Sequence, residues 1–345
     1  MQALVLVGGE GTRLRPLTLT RPKPALTLVD RPFIRFMVDW LAHHGVDEVV
    51  MACGFRAEDL RSALGDEVPG EARIHYVEEP EPLGTAGPVR LAADQGMLGE
   101  RFIVLNGDLL TDLDLTALQA THAEHDAVAT LALYPVDDPS AYGLVRRASD
   151  DQVLDFIEKP EPGQIDTDEV NAGAYVLERG ICDLIPPGRA VSIEREVFPR
   201  LVGQGLYGRR LDGYWMDIGT PERYLQASWD ILEGRVRSDV SPRDDGVLVD
   251  PDASVAATAV VGPRAVVASA CEIGEGATLS ESVLLDGCRV SERAEVRGSI
   301  LASGVQVGEG ARVGPGSVVG EGARIAPGAV LSDDARVAPE EMVSS

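Results

Sequence analysis

Hydrophobic positions follow two different rhythms along this chain. Over residues 1–234, short apolar runs alternate with amphipathic stretches, the pattern of an open α/β sheet. Runs at 3–7, 48–52, 73–77, 102–105 and 153–157 predict strands. Between the first two, Phe33, Phe36, Met37, Trp40 and Leu41 share one face of a helix that ends at Gly45, with Asp30 placed to cap it and Pro32 near its first turn. That aromatic stripe reads as core. His43 and His44 fall in the last turn, where a cation suits the helix dipole, and no carboxylate partner marks them as ligands or bases.

Residues 235–246, RVRSDVSPRDDG, are charged and proline-bearing and read as a linker. Beyond them the period changes to six. Val249, Val255, Val261, Val267, Ile273, Leu279 and Leu285 recur at that spacing, and so do Val307, Val313, Val319, Ile325, Leu331 and Val337. Two five-residue steps between Val290 and Leu301 mark a slip or a loop. One aliphatic per hexapeptide, with glycine and small residues between, is the signature of a parallel β-helix, in which each aliphatic stacks on its counterpart one coil along. The expected organisation is therefore an α/β domain over 1–234, a linker over 235–246 and a β-helix over 247–345.

Composition narrows the partners. A formal charge of −25 and a pI near 4.5 argue against a nucleic-acid binder or a protein that docks on anionic membranes, since both need a basic surface. No apolar run approaches the ~20 residues that span a bilayer. The first strand runs into a glycine turn with no basic n-region or cleavage site, unlike a signal peptide. Cys53, Cys182, Cys271 and Cys288 are scattered and form no CxxC pair, so neither a disulfide framework nor a zinc site is expected, and a reducing cytoplasm fits.

Candidate chemistry starts in VLVGGEGTRLRPLTLTRPKPA, from Val5 to Ala25. A strand that ends in Gly8, Gly9 and Gly11 brings backbone close to something, and Thr12, Arg13 and Arg15 beside it suggest an anion. It is neither a Walker A loop, which needs Gly-Lys-Ser/Thr, nor a dinucleotide fingerprint, whose third glycine would fall at Leu14. Of 31 basic residues only Lys23 and Lys159 are lysines, each followed by proline. Codon bias accounts for the surplus of arginine but not for these two. A compact ammonium suits phosphate as a point charge. Asp108 follows the strand at 102–105, at the end where open α/β sheets bind ligands. Asp217, in Trp-Met-Asp-Ile-Gly, sits in an apolar setting where a carboxylate is normally paired or metal-bound. Two aspartates suit Mg²⁺, which takes one or two carboxylates plus phosphate oxygens and water.

The glycine loop resembles, almost letter for letter, the GGxGTRLxPLT…PKP signature of the nucleotidyl-sugar pyrophosphorylases. PLGTAGPVRLA from Pro82, VLNGD from Val104, YGLV from Tyr142, FIEKP from Phe156, NAGAYVL from Asn171 and WMDIGTPERY from Trp215 resemble further blocks of that family, in family order. Within it, Leu83-Gly84-Thr85-Ala86-Gly87 most resembles the mannose-1-phosphate guanylyltransferases, whose tail can be a left-handed β-helix. The resemblance implies a mostly parallel nucleotidyltransferase sheet and transfer of a nucleoside monophosphate from an NTP, GTP favoured, onto a sugar 1-phosphate. It implies catalytic roles for Arg13, Lys23 and Lys159, nucleotide binding by Gly8, Gly9, Gly11, Thr12, Glu79, Gly84, Thr85 and Asn106, and sugar binding by Gly143, Glu158, Asn171 and Gly173. It assigns Mg²⁺ to Asp108 and Asp217.

Glu79 is the departure that bears on the base. Thymidylyl and uridylyl relatives tend to carry glutamine there; a carboxylate only accepts hydrogen bonds, and guanine offers adjacent N1–H and N2–H₂ donors. Glu78 is the fallback, and a pair of solvated loop charges the plain alternative. Phosphoryl transfer of this kind needs positioning and charge stabilisation and no general base. A thymidylyl- or uridylyltransferase and a non-catalytic regulatory paralogue are the alternatives, the latter opposed by the presence of Arg13, Lys23, Asp108, Lys159 and Asp217. An acetyltransferase β-helix would need a histidine base, and no histidine follows His125. A homo-oligomer is expected from the flat faces of a β-helix.

Overall fold

The computed structural model describes residues 1–54, 56–64 and 72–344, so Ser345 at the end of the expected tail lies outside the described residues. By compactness the chain forms two units, one of residues 1–9 and 37–215 and the other of residues 10–36 and 216–345.

The first unit is built on the expected open α/β sheet. Its strands are β1 (Gln2–Leu6), β2 (Glu48–Cys53), β3 (Arg73–Glu78), β4 (Arg101–Asn106), β5 (Ala129–Pro135), β6 (Gly143–Arg147), β7 (Val153–Glu158), β8 (Glu169–Glu178) and β9 (Leu206–Arg210). The spatial order is β7-β6-β8-β4-β1-β2-β3, with β5 joining β8 to β9. Strands β3, β2, β1 and β4 are parallel, whereas β8 runs antiparallel to β4, β5 and β6. The parallel strands read as unbroken apolar runs because both faces are covered: Val49–Cys53 of β2 and Phe102–Leu105 of β4 are all buried.

The stripe of Phe33, Phe36, Met37, Trp40 and Leu41 is buried as expected, on the helix Phe33–His43. Its entry differs. Asp30 does not cap the helix, because both its carboxylate oxygens accept from the Arg31 guanidinium, at 2.8 and 2.9 Å. Residues Arg31–Pro32 instead pair with Thr27–Leu28 as a two-residue ribbon. That ribbon stands between Asp30 and the helix's first residue, Phe33.

In the second unit, residues 247–343 form a parallel β-helix of the left-handed hexapeptide type, three sheets with five or six two- to three-residue strands each. The inward column of the first face runs Val249, Val267, Leu284, Leu301, Val319 and Val337, each in register with the next. Leu284 thus stands where the period of six selects Leu285. The five-residue steps fall between Leu279 and Leu284 and between Val296 and Leu301. Adjacent leucines satisfy the period equally well; only pairing with Val267 and Leu301 distinguishes them.

Outward neighbours on that face alternate as strand geometry requires, yet Val266, Val283, Ile300 and Val318 are at most 1% exposed. The helix Pro221–Leu232 lies in this face's company. Arg264 stacks its guanidinium 4.5 Å from the Trp229 ring centroid, and Arg336 Nη2 is 3.6 Å from Glu222 Oε1. Thr220 caps this helix by accepting from the Arg223 N–H, with Pro221 at its first position. No helix among the described residues is long and apolar enough to cross a membrane, and the four cysteines are free and buried.

One buried group makes the first unit's stability pH-dependent. His122 is fully buried, with Nδ1 2.9 Å from Thr130 Oγ1 and Nε2 3.1 Å from Glu178 Oε1. Burial pulls its pKa below the usual imidazole value despite the opposing pull of Glu178. Below the unfolded value of about 6.5 the unfolded chain takes up a proton that the folded chain refuses. Stability contributed by the neutral ring is therefore complete above that pH and lost as pH falls through it. Thermal melting should drop between pH 7.5 and 5.5, and His122→Gln should flatten that slope. An unchanged slope in the variant would remove His122 as its source.

Candidate active site

In the first unit the predicted residues collect along one edge of the sheet. Parallel β1, β3 and β4 end there, delivering Gly8, Glu79 and Asn106, and Asp108 lies just beyond β4. The antiparallel strands reach the same edge from the other direction. Ala174 of β8 is in register with Leu105 of β4, which sets Gly173 beside Asn106. Glu158 pairs with Gly143, and Leu144 with Val170, which brings β7 and β6 alongside Asn171. This is the carboxyl edge at which open α/β sheets take ligands.

Close contacts explain much of the glycine content. A Cβ on Gly8 would lie 2.5 Å from Glu79 Oε1, so glycine there lets the first turn sit directly on that carboxylate. The other oxygen, Oε2, accepts from Leu83 N–H at 2.9 Å. Burial raises the Glu79 pKa, only partly offset by that hydrogen bond. A Cβ on Gly9 would meet nothing within 4 Å, so its neighbourhood is open. Gly84 packs against the Val191 carbonyl, and Thr85 is spent on structure, donating to Glu194 Oε2 at 2.7 Å and accepting from Ile193 N–H at 2.9 Å.

The sugar-side residues form a second cluster. Asn171 is fixed by accepting from Gly173 N–H at 3.0 Å and donating to Tyr175 Oη at 2.8 Å. A Cβ on Gly143 would strike Phe156 and approach Glu158 Oε2 to 3.0 Å. Burial raises the Glu158 pKa, and the neighbouring Glu194 carboxylate pushes the same way. Lys159 is exposed, holds φ at 54°, and forms no ion pair with a described residue. A left-handed non-glycine residue costs ~1–3 kcal/mol, a strain that tends to persist where function requires it.

In the second unit, Gly11 adopts φ 62° and starts the turn Thr12–Leu14; a Cβ there would lie 3.0 Å from Thr18 and 3.2 Å from the Lys23 Cβ. Thr18 Oγ1 donates to the Gly11 carbonyl at 2.9 Å, closing the loop that carries Arg13. Thr12 and Arg13 are exposed. Asp217 is mostly buried: Arg223 Nη1 donates to its Oδ2 at 2.8 Å, while Oδ1 has no hydrogen-bond partner among the described residues. A Cβ on Gly219 would lie 2.7 Å from that Oδ1 and 2.9 Å from Arg13 Nη2.

An unpartnered, desolvated carboxylate oxygen suits a hard cation. Among the described residues no three His, Cys, Asp or Glu side chains gather to hold a metal. A cation at Asp217 would thus draw further ligands from phosphate and water, as Mg²⁺ commonly does.

Sequence reasoning passed over several residues. Glu194, in the π-turn Ile193–Val197, faces Glu158 and receives both Thr85 and Ser192 hydroxyls. Trp215 donates from Nε1 to the Ala172 carbonyl at 2.8 Å and packs on Tyr134 and Tyr142. Arg223 reaches Asp217. The signal for Trp215 and Arg223 was the WMDIGTPERY block itself, of which only Asp217 was assigned a role.

Known proteins match over nearly the same span. The nucleotidyl transferase family profile covers residues 2–234, and that of the GMPPB C-terminal domain covers 244–345. A mannose-1-phosphate guanylyltransferase of Mycobacterium tuberculosis is 39% identical over 291 residues, 83% of this chain and 80% of that protein. Mannose-1-phosphate guanylyltransferase 1 of Arabidopsis thaliana is 38% identical over 83% of this chain and 82% of its own length. The mannose-1-phosphate guanyltransferase of Schizosaccharomyces pombe is 37% identical over 79% and 74%. With that coverage and the sheet edge just described, the chain belongs to the nucleotidyl transferase family.

Proposed function

We propose that this protein joins GMP from GTP to mannose 1-phosphate, releasing pyrophosphate, with residues 1–234 as the catalytic domain, 235–246 as a linker and 247–345 as an oligomer-forming β-helix. The observation that carries the reading is the meeting of Gly8, Glu79, Asn106, Asp108, Glu158, Lys159 and Asn171 along one sheet edge. The names of the relatives support the substrates. Buried free cysteines fit a cytoplasmic setting.

A sugar phosphate oxygen attacks the α-phosphorus in line with departing pyrophosphate, and a phosphate ester near neutral pH is already anionic, so no residue must remove a proton. Gly8, Gly9, Gly11 and Thr12 turn backbone toward the triphosphate. Arg13 and Lys23 neutralise the α-phosphoryl group and the leaving pyrophosphate. Lys159 pairs with the sugar phosphate. Glu158, Asn171, Gly143 and Gly173 define the hydroxyl contacts. Gly84, Thr85 and Asn106 shape the nucleotide's seat, the first two by holding the loop after Glu79. Asp108 and Asp217 would hold Mg²⁺, which when bound supplies charge neutralisation and orientation of phosphate oxygens. Glu79, half-buried, reads guanine, its Oε2 already anchored on Leu83 N–H; Glu78 is exposed and less able to discriminate.

Three measurements test this reading. Wild type should favour GTP over UTP and dTTP in kcat/KM by up to ~10⁴-fold, and Glu79→Gln should cut that ratio by roughly 10–100-fold, the value of a charge-assisted hydrogen bond. A pyrimidine preference, or an unaltered ratio in the variant, removes the carboxylate from base recognition. For the metal, Asp217→Asn should lower kcat by roughly 10²–10³-fold with an intact circular dichroism spectrum. Full activity in EDTA would rule Mg²⁺ out. For the lysines, Lys159→Arg should raise KM for mannose 1-phosphate more than for GTP, because a planar fork replaces a point charge. Lys23→Arg should instead impair GTP turnover and pyrophosphate use. Equal effects of both on both substrates would contradict the division of labour.

A further inference from the structure

We propose that Arg223 is a positioning residue that makes Asp217 a one-oxygen ligand and thereby favours a small octahedral cation over a larger one. This rests on the reading of Asp217 as a metal ligand. Arg223 stands in the first turn of the helix Pro221–Leu232, behind the Thr220 cap. Its Nη1 donates to Asp217 Oδ2 at 2.8 Å and to the Asp217 carbonyl at 3.3 Å. A guanidinium nitrogen tied to backbone and side chain of one residue cannot follow that side chain as it rotates. Oδ2 therefore stays occupied. Oδ1 is left buried without a partner, beside the gap that Gly219 leaves by lacking a Cβ, with the Arg13 guanidinium on the other side of that gap.

Denticity then sets selectivity. Ca²⁺ binds carboxylates through one or both oxygens at about 2.3–2.6 Å in a loose shell, whereas Mg²⁺ requires a near-regular octahedron at about 2.0–2.1 Å. A carboxylate with one oxygen withheld still serves Mg²⁺ fully but denies Ca²⁺ its second bond. The positive charge of Arg223 repels every divalent cation alike, so it lowers affinity without ranking the two ions. Replacing the guanidinium relieves that repulsion for both and frees Oδ2, from which Ca²⁺ gains more.

The test uses the full chain with GTP and no sugar phosphate, following Mn²⁺ in the protein complex by electron paramagnetic resonance while Mg²⁺ or Ca²⁺ displaces it. In wild type Mg²⁺ should displace at lower concentration than Ca²⁺. In Arg223→Gln the ratio of the Ca²⁺ to the Mg²⁺ concentration needed should fall about tenfold, the scale of other changes behind a metal ligand. Arg223→Lys, which can reach Oδ2 but lacks the rigid fork, should fall between the two and serves if the glutamine variant does not fold. A ratio unchanged in either folded variant overturns the proposal. Asp217→Asn separates the two layers: loss of the protein-bound Mn²⁺ signal there sustains Asp217 as a ligand, whereas its persistence means that the underlying reading has failed, whatever Arg223 does.

Discussion

The site depends on how tightly backbone is packed where the parallel strands end. A Cβ on Gly54 would sit 2.9 Å from the Gly8 carbonyl, and one on Gly107 would sit 2.5 Å from the Leu6 carbonyl. No side chain fits at either place, so β1, β2 and β4 can turn away from the sheet at one level. Everything that leaves that edge starts from a common origin, including the first glycine turn and Asp108. Opening those contacts by even an ångström would spread the groups proposed to act by position, where misplacement of that size is costly. Gly8, Gly54 and Gly107 thus serve this packing, whereas the position of Gly9 has open space around it.

The β-helix shows which features of a fold a periodic sequence exposes and which it conceals. Inward aliphatics at a spacing of six are visible because every coil repeats them. The choice between Leu284 and Leu285 is not, since it is made by registry with Val267 and Leu301, one coil away on either side. Burial of Val266, Val283, Ile300 and Val318 escaped for a related reason. Each lies next to an inward residue and looks like an ordinary strand position. Only a face covered by another element, here accompanied by the helix Pro221–Leu232, requires four successive outward aliphatics.

Within the proposed site, candidate residues are easier to pick out in the sequence than the connections among them. Arg13, Lys23, Asp108, Lys159 and Asp217 stand out because charged groups beside glycine and proline in fixed blocks are unusual, and the blocks resemble a known family. What sequence cannot display is which polar atom another has already taken. Thr85 sits in a block read as nucleotide-binding, yet its hydroxyl is committed to Glu194 and Ile193, 109 and 108 residues away in the chain. Asp30 likewise pairs at short range with Arg31, through both of its oxygens, and the Arg31–Pro32 ribbon separates it from the helix it was expected to cap. Glu194 and Arg223 were overlooked because their significance lies in the carboxylates that they face.

The distribution of cations reconciles a strongly acidic chain with the anionic substrates proposed for it. Arginines away from the site are largely neutralised in place. Arg146 engages Asp155 and Asp166, and Arg147 engages Asp151 and Glu169. An arginine fork bound to two carboxylates has little left to offer a phosphate. Lys159 differs in each respect that matters: exposed, held in a left-handed conformation by its place after β7, and without an ion pair among the described residues. Its amide nonetheless donates to the Tyr142 carbonyl at 3.0 Å, which fixes the backbone while leaving the ammonium unspent. The net charge of −25 is then no obstacle. On the proposed reading, an exposed cation such as Lys159 at the sheet edge gives an anion a place to bind, and the surrounding acidity disfavours phosphates bound elsewhere.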